Sequence, residues 1–247
     1  MNINLKRSQI LTLAWFTLTC FTFSSCEELD NVDLGLSQEE IAKGLKSALE
    51  VGTDTSVSIL SVTDGYYKDD LVKILLPSEA AVIIDNISKI PGGDILVEET
   101  VKAINRSAED AAKSAAPIFV NAISQITFQD AKNILEGADD AATTYLMDNT
   151  RENLTNLFEP QINKSLSKEL IPGVSAQGSY ASLIDKYNTV ANNSFGLLKP
   201  VVGNSLSEHT TAKALDGLSS KIAIEEGKIR NDVSHRVNDI LQKVFGS

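Results

Sequence analysis

Apolar residues recur at helical spacing along most of the chain from residue 37 onward. The segment SQEE at 37–40 has the S-x-x-E form of a capping box, and Ile41, Leu45 and Leu49 follow it four residues apart. A first helix is therefore predicted to begin near Ser37 and to end before Gly52, because glycine is a poor residue for a helix interior.

A different pattern covers residues 55–77. TSVSILSV at 55–62 is rich in β-branched residues, and the turn signal Asp64-Gly65 and the apolar LVKILLP at 71–77 follow it. Two short apolar segments around a turn are typical of a β-hairpin. One short hairpin is therefore predicted around residues 55–77, with a helix beginning at Thr55 or Ser56 as the alternative.

The helical pattern resumes after Pro91-Gly92-Gly93 and continues almost to the end of the chain. Asp94 is predicted to cap a long helix with an alanine-rich face, and Pro117 to kink or interrupt it. Further helices are predicted over 128–136, 139–158, 161–170, 179–195, 207–228 and 232–245. The fold class is thus mainly α, a single-domain multi-helix bundle.

The acidic segment QDAKNILEGADDAATTY at 129–145 raises the question of a cation site or a catalytic pair. Helix ends explain most of its carboxylates: Thr127 with Asp130 forms an acidic variant of the capping box, and Asp139 and Asp140 lie where the next helix begins. Gly137 is predicted to end the first of these helices in a left-handed conformation. Only Glu136 lacks a helix-end explanation, so its partner is of particular interest.

The first 25 residues have the features of an export signal. MNINLKRSQ supplies two cations, and ILTLAWFTLTCFTF at 10–23 is a 14-residue apolar run, shorter than the roughly 20 residues that span a bilayer. Ser24 and Ser25 precede Cys26, an arrangement that resembles the bacterial lipobox, although Phe23 replaces the usual leucine. Residues 1–25 are predicted to be removed and Cys26 to carry a lipid such as palmitate; the alternative is an ordinary secretory signal.

Charge and cysteine usage narrow the class of protein further. Removal of the signal would change the net charge from −11 to −13, since it takes away two cations and no anions. A chain this acidic is not expected to bind nucleic acid or to be attracted electrostatically to anionic lipid. Cys20 lies in the removed segment, so no intrachain disulfide is predicted. Residues 26–36 would form an acidic tether and 37–247 the helical domain.

Two long segments resemble the signatures of a known family, NRSAEDAAKSAAPIFVNAISQITFQDAKNILEGADDAATTYLMDNT at 105–150 and LDGLSSKIAIEEGKIRNDVSHRVNDILQKVFG at 215–246. They are similar to the domain-of-unknown-function 4197 family, as are GLKSAL at 44–49 and the GYY...ILLP segment at 65–77. The resemblance implies an exported bacterial protein that is largely helical and in many members lipidated. It implies no activity, since none is assigned to that family.

The sequence contains no recognisable catalytic or cofactor motif. His209 and His235 are isolated, with neither an H-E-x-x-H pattern nor a histidine pair, and no EF-hand, phosphate-binding loop or G-x-S-x-G is present. No cofactor and no metal site are predicted. A carboxylate site collected from distant helices stays open as a minor alternative, with a metal-dependent or carboxylate-dependent hydrolase as the corresponding enzyme.

The most informative polar residues lie within the two signatures: Asn105, Arg106, Glu109, Glu225, Glu226 and Arg230. Arg106 and Glu109 share a helix face with packed alanines, where a charge needs a partner. The prediction is that the two groups of residues pair across two packed helices. A structural ion network is favoured over a ligand site.

These observations indicate an envelope lipoprotein of a Gram-negative bacterium, anchored to the outer membrane through Cys26. Its helical domain is interpreted as a non-catalytic binding or scaffolding module with a protein partner in the envelope. The main alternative is a binder of an apolar or lipid-like ligand between helices, with a cavity lined by Ile118, Phe119, Leu146 and Phe158.

Overall fold

The computed structural model describes residues 35–129, 131–203 and 206–246. Within these ranges it contains nine α-helices and no β-strand, which confirms the predicted helical bundle. Leu36–Ser247 forms one compact unit. The helices are α1 (Gln38–Leu60), α2 (Ala81–Asp85), α3 (Gly93–Ala112), α4 (Ala115–Gln125), α5 (Ala131–Leu135), α6 (Ala141–Leu166), α7 (Ala176–Asn192), α8 (Leu206–Asn231) and α9 (Asp239–Phe245).

Helix α1 begins as predicted but runs past the point where it was expected to end. Ser37 and Glu40 form both hydrogen bonds of the capping box. The helix then continues through Gly52 to Leu60, because Gly52 faces α8: a Cβ there would lie 3.2 Å from the Ile222 side chain. Close packing of the two helices thus compensates for the low helix propensity of glycine.

The predicted hairpin at 55–77 is wrong. Residues 55–60 belong to α1, and residues 61–77, called here the 61–77 segment, contain turns and extended backbone but no strand. Burial alternates from Leu71 to Leu76, which explains the strand-like pattern. The extended part packs on α3 and α8 through single side chains rather than through a second strand.

Helices α1 and α8 form an antiparallel pair at the centre of the bundle. Gly52 of α1 lies against Ile222, whereas Tyr66, just beyond the end of α1, reaches back to Ala214 near the start of α8. Gly44 lies against Val244 of α9 so closely that a Cβ would approach it to 2.6 Å. The beginning of α1 therefore lies near the end of α8 and beside α9.

Several other boundaries differ from the sequence prediction. Helix α3 begins at Gly93 after a left-handed Gly92, so Asp94 lies in the first turn and is not the cap. The expected interruption near Pro117 occurs between Ala112 and Ala115, where α3 ends and α4 begins.

Helix α6 continues through Pro160, where two separate helices were predicted. Pro160 is exposed, while Phe158 and Ile162 beside it are fully buried and hold both halves of the helix to the core. A missing hydrogen bond on the solvent side is tolerated because water can satisfy the freed carbonyl.

The C-terminal segment is less regular than predicted. A short 3-10 turn, Val233–His235, precedes α9, whose Asn238 cap accepts a hydrogen bond from the Leu241 amide. Leu241, Val244 and Phe245 are buried, whereas Val233 and Val237 are exposed. Across the described residues, no helix has the length and hydropathy required to cross a bilayer.

Candidate functional site

The first polar cluster joins α3 to the 61–77 segment and comprises Asp64, Arg106 and Glu109. Arg106 donates to Glu109 at 2.7 Å and also pairs with Asp64. The Glu109 carboxylate, whose side chain is only 4% exposed, additionally accepts the backbone amides of Tyr66 and Tyr67, each at 3.2 Å. One buried glutamate therefore neutralises an arginine and satisfies two peptide groups of a segment without regular structure.

Asn105, next to Arg106 on α3, holds the same segment further along. Its side-chain oxygen accepts the Ile74 amide at 2.9 Å, and its side-chain nitrogen donates to the Ile74 carbonyl at 2.7 Å and to the Val101 carbonyl. The amide side chain thus acts as a one-residue substitute for a neighbouring strand. Since Asn105 is fully buried, every one of these bonds is protected from water.

Hydrogen bonding sets the electrostatics of this cluster. Hydrogen bonds from Lys68 and Arg106 lower the pKa of the Asp64 carboxyl. Burial acts to lower the pKa of Arg106, but its bonds to Asp64 and Glu109 outweigh this and raise it. Burial raises the pKa of Tyr66, whose hydroxyl donates to the Ala214 carbonyl at 2.8 Å. Near neutral pH, Asp64 is therefore negatively charged, Arg106 positively charged and Tyr66 neutral.

The second polar cluster comprises Glu226 and Arg230 of α8 and the junction between α5 and α6. Glu226 is fully buried and accepts the amides of Ala142 at 2.9 Å and Thr143 at 2.8 Å, together with the Thr143 hydroxyl. These amides lie in the first turn of α6, where backbone donors have no partner within the helix. Glu226 is thus an N-terminal cap supplied by another helix.

Arg230 completes the second cluster on the other side of the junction. It donates from Nε and Nη2 to Glu226, at 2.9 and 2.7 Å, and from Nη1 to the Leu135 carbonyl at 2.6 Å. Its Nη2 also donates to the carbonyl of Ile134. The arginine therefore caps the end of α5 while the glutamate caps the start of α6, and together they fix the angle between these helices.

Glu225 points away from the second cluster. It contacts the His235 ring at 2.7 Å and Lys228 at 3.2 Å, near the end of α8. Burial acts to raise the pKa of the Glu225 carboxyl, but the hydrogen bonds from His235 and Lys228 outweigh this and lower it.

The structure does not bring the two signature groups together as the sequence predicted. Arg106 pairs with Glu109 on its own helix, and Arg230 pairs with Glu226 on its own helix; no ion pair among the described residues links one cluster to the other. The prediction of pairing across two packed helices was wrong because each arginine finds a carboxylate three or four residues away on its own helix. Asp64 was missed, although the Asp64-Gly65 turn marked its position.

The described carboxylates of the acidic segment at 129–145 do not form a site. Glu136 is exposed and lies 3.9 Å from Lys132 in an ordinary helix-surface pair, and Asp139 and Asp140 are exposed as well. Asp130, and with it the predicted capping box with Thr127, lies outside the described residues. Gly137 does not adopt a left-handed conformation; a Cβ there would lie 3.0 Å from the Ala141 side chain, a tight contact.

The histidines and the carboxylates that the structure describes do not converge on a metal centre. His209 lies in the first turn of α8 and contacts the Leu75 carbonyl at 2.9 Å, whereas His235 follows the other end of that helix. Within residues 35–129, 131–203 and 206–246, no group of three or more His, Cys, Asp or Glu side chains is arranged to hold an ion.

The residues expected to line an apolar cavity belong to the core. Phe119, Leu146 and Phe158 are fully buried there, and the partly buried Ile118 packs against the core. A surface cleft of about 510 Å³ lies elsewhere, between the 61–77 segment and α8, and is lined by apolar Leu71 and Leu75 together with His209 and Lys213.

Acid should destabilise the protein through its paired carboxyls. The hydrogen bond from Lys221 lowers the pKa of the Asp69 carboxyl. Burial acts to raise the pKa of the Asp110 carboxyl, but hydrogen bonds, including one from Lys168, outweigh this and lower it. Because these pKa values lie below those of the unfolded chain, the stabilisation is complete above about pH 4 and disappears as the pH falls through the folded-state values.

Urea denaturation across a pH series should therefore show that the free energy of unfolding decreases as the pH is lowered below about 4. Asp69→Asn should make this fall shallower, because one of the depressed carboxyls is then absent. An unchanged pH dependence in Asp69→Asn would contradict this account of the Lys221 pair.

The fold and its two clusters define an all-helical protein in which buried charges hold helix ends and a non-regular segment in place. The family model described as "Protein of unknown function (DUF4197)" matches residues 35–246, and the chain belongs to that family. The comparisons with curated proteins and with solved structures give no match.

Proposed function

We propose that this protein is an outer-membrane lipoprotein of a Gram-negative envelope, anchored through Cys26, whose helical domain serves as a non-catalytic binding or scaffolding module. The observation that carries the proposal is the position of one boundary. The family match begins at residue 35 and the compact helical unit at Leu36. The export-like segment and Cys26 both precede this boundary, as an anchor and tether require.

The state of the buried charges supports a non-catalytic role. Catalytic carboxylates usually face a cleft and keep a free oxygen for substrate or a proton. Glu109 and Glu226 instead accept several hydrogen bonds from the protein's own backbone and arginines. Their chemistry is committed to holding the fold, which leaves binding through the surface as the function that the domain favours.

Cys26→Ala tests the anchor, and Cys20→Ala is its matched control. We expect a clickable fatty-acid analogue to label the wild type and Cys20→Ala in cells but not Cys26→Ala, because only Cys26 carries the lipid. The labelled proteins should sediment with outer membranes. Labelling of Cys26→Ala, or an unlabelled wild type, would refute the proposed anchor.

Crosslinking in intact cells, followed by purification of wild type and Cys26→Ala, tests the scaffolding role. A binding module should yield a defined partner that depends on anchoring. A turnover activity found in the purified domain, lost in a folded Glu109→Gln variant, would refute the non-catalytic assignment.

A further inference from the structure

The connection between α7 and α8, residues 193–203 and called here the Phe195 loop, presents apolar side chains to solvent. Phe195 is 102% exposed relative to a free residue, and Leu197 and Val202 are 87% and 74% exposed. Phe195 therefore makes almost no contact with its own domain. Exposed aromatic and aliphatic side chains close together mark interaction sites rather than ordinary surface.

The base of the Phe195 loop is held by side chains of α7. The Asn188 side chain accepts the Val201 amide at 2.8 Å and donates to the Val201 carbonyl at 2.9 Å, and the Tyr187 hydroxyl donates to the Lys199 carbonyl. Ser194 accepts the Leu198 amide at 2.9 Å. The loop is thus fixed on both sides of its tip.

The tip itself has an unfavourable backbone conformation. Phe195 has φ of 54° and Gly196 has φ of 84°, so both lie in the left-handed region. This conformation is ordinary for glycine but rare for a bulky residue such as phenylalanine. Sparsely populated backbone conformations of this kind cluster at functional sites.

The charge around the loop differs from that of the rest of the protein. The chain carries 33 acidic residues, yet the 22 residues from Lys186 to Ser207 contain none and include two lysines. Lys89 lies beside Leu197 and Leu198 in the cleft next to the tip. An anionic surface would repel most of this protein but not the Phe195 loop.

We infer that the Phe195 loop inserts into the interface of a lipid bilayer. Phe195 and Leu197 would enter the boundary between headgroups and acyl chains, and Lys199 and Lys89 would lie at the level of the lipid phosphates. Aromatic side chains flanked by lysines are typical of such interfaces. A fully exposed side chain on a fixed loop suits a fluid surface that needs no complementary pocket.

The loop and the start of α1 lie toward opposite ends of α8. The loop immediately precedes this 26-residue helix, which is about 39 Å long, whereas Gly44 near the start of α1 packs on Val244 of α9, beyond the end of α8. If Cys26 also carries a lipid, which rests on the proposed function, the protein would have two attachments to the bilayer. The tether would then raise the effective concentration of a weakly inserting loop.

A single tryptophan at the tip tests the inference directly. Trp15 is the only tryptophan of the chain, so Phe195→Trp combined with Trp15→Phe places one reporter on the loop of the full-length protein. Val233→Trp in the same background is the matched control, since Val233 is 68% exposed and follows the opposite end of α8. Both proteins keep the same N-terminal segment.

With vesicles of phosphatidylcholine and phosphatidylglycerol, we expect tryptophan at 195 to shift its emission to shorter wavelength. Lipids brominated near the headgroup should quench it several-fold more than tryptophan at 233. Leu197→Ser added to the reporter should weaken the quenching, while circular dichroism confirms an unchanged fold. Phosphatidylcholine alone should give weaker insertion, because the lysines then lose their anionic partners.

Equal quenching at 195 and 233, or no emission shift with vesicles, would overturn the inference. A shift that appears only with envelope proteins and not with lipid would also overturn it and would assign the loop to a protein partner. Repeating the measurement with Cys26→Ala separates the two proposals: a failed lipid anchor leaves the difference between 195 and 233 intact, whereas a failed loop inference abolishes it.

Discussion

Glu226→Ala is expected to lower the free energy of unfolding by about 3–5 kcal/mol, the usual cost of removing one partner from a buried ion pair. The substitution leaves Arg230 buried without its counter-ion, since the Arg230 side chain is only 7% exposed. It also removes the acceptor for two amides at the start of α6. Urea denaturation followed by circular dichroism measures the loss.

Glu136→Ala is the control for this experiment. It removes a carboxylate of the same type that is exposed and 3.9 Å from its lysine, so the change should be within about 1 kcal/mol. The double variant Glu226→Leu with Arg230→Met should recover part of the stability, because both charges leave the interior together. A Glu226→Ala protein as stable as Glu136→Ala would contradict the assigned role.

Glu109→Ala should cost about 3 kcal/mol, the lower end of the range for a broken buried pair. Arg106 retains Asp64 as a partner and its side chain is 13% exposed, and both facts reduce the expected decrease in the free energy of unfolding. The amides of Tyr66 and Tyr67 lose their acceptor, so this part of the 61–77 segment should loosen from α3. Hydrogen exchange should show faster exchange at these two amides than in the wild type.

Glu99→Ala is the matched control for this second variant, because it removes an exposed carboxylate from the same helix. Its exchange pattern should remain that of the wild type. If Glu109→Ala lowered stability while the Tyr66 and Tyr67 amides stayed protected, the segment would be held by other contacts, and Asn105 would be the first to test.

The sequence predicted the fold wherever local signals decide the structure. The Ser37 capping box, the buried face of α1 and the break before Pro117 were all readable, since each depends on residues within one or two helical turns. The predictions failed where distant contacts decide. Gly52 continues a helix because α8 packs against it, and Pro160 remains in a helix because the residues on its buried side hold both halves.

The polar clusters were predictable in composition but not in pairing. Charges next to packed alanines indicated that Arg106 and Glu109 need partners, and both are indeed largely buried. Besides the ion pairs, Glu109 binds the backbone of Tyr66, Glu226 that of Ala142 and Arg230 that of Leu135, and a peptide group carries no signature in the sequence. The pattern of side chains therefore indicated that the buried charges have partners, but it did not indicate which groups those partners are.

The contacts of Glu226 and Arg230 also bear on how the family's sequences can diverge. Both residues bind peptide groups at Ile134, Leu135 and Ala142, and a peptide group is the same whatever side chain it carries. Those three positions are thus free to change among relatives as far as these bonds are concerned. The glutamate and the arginine have no such freedom, because these bonds depend on their own side chains.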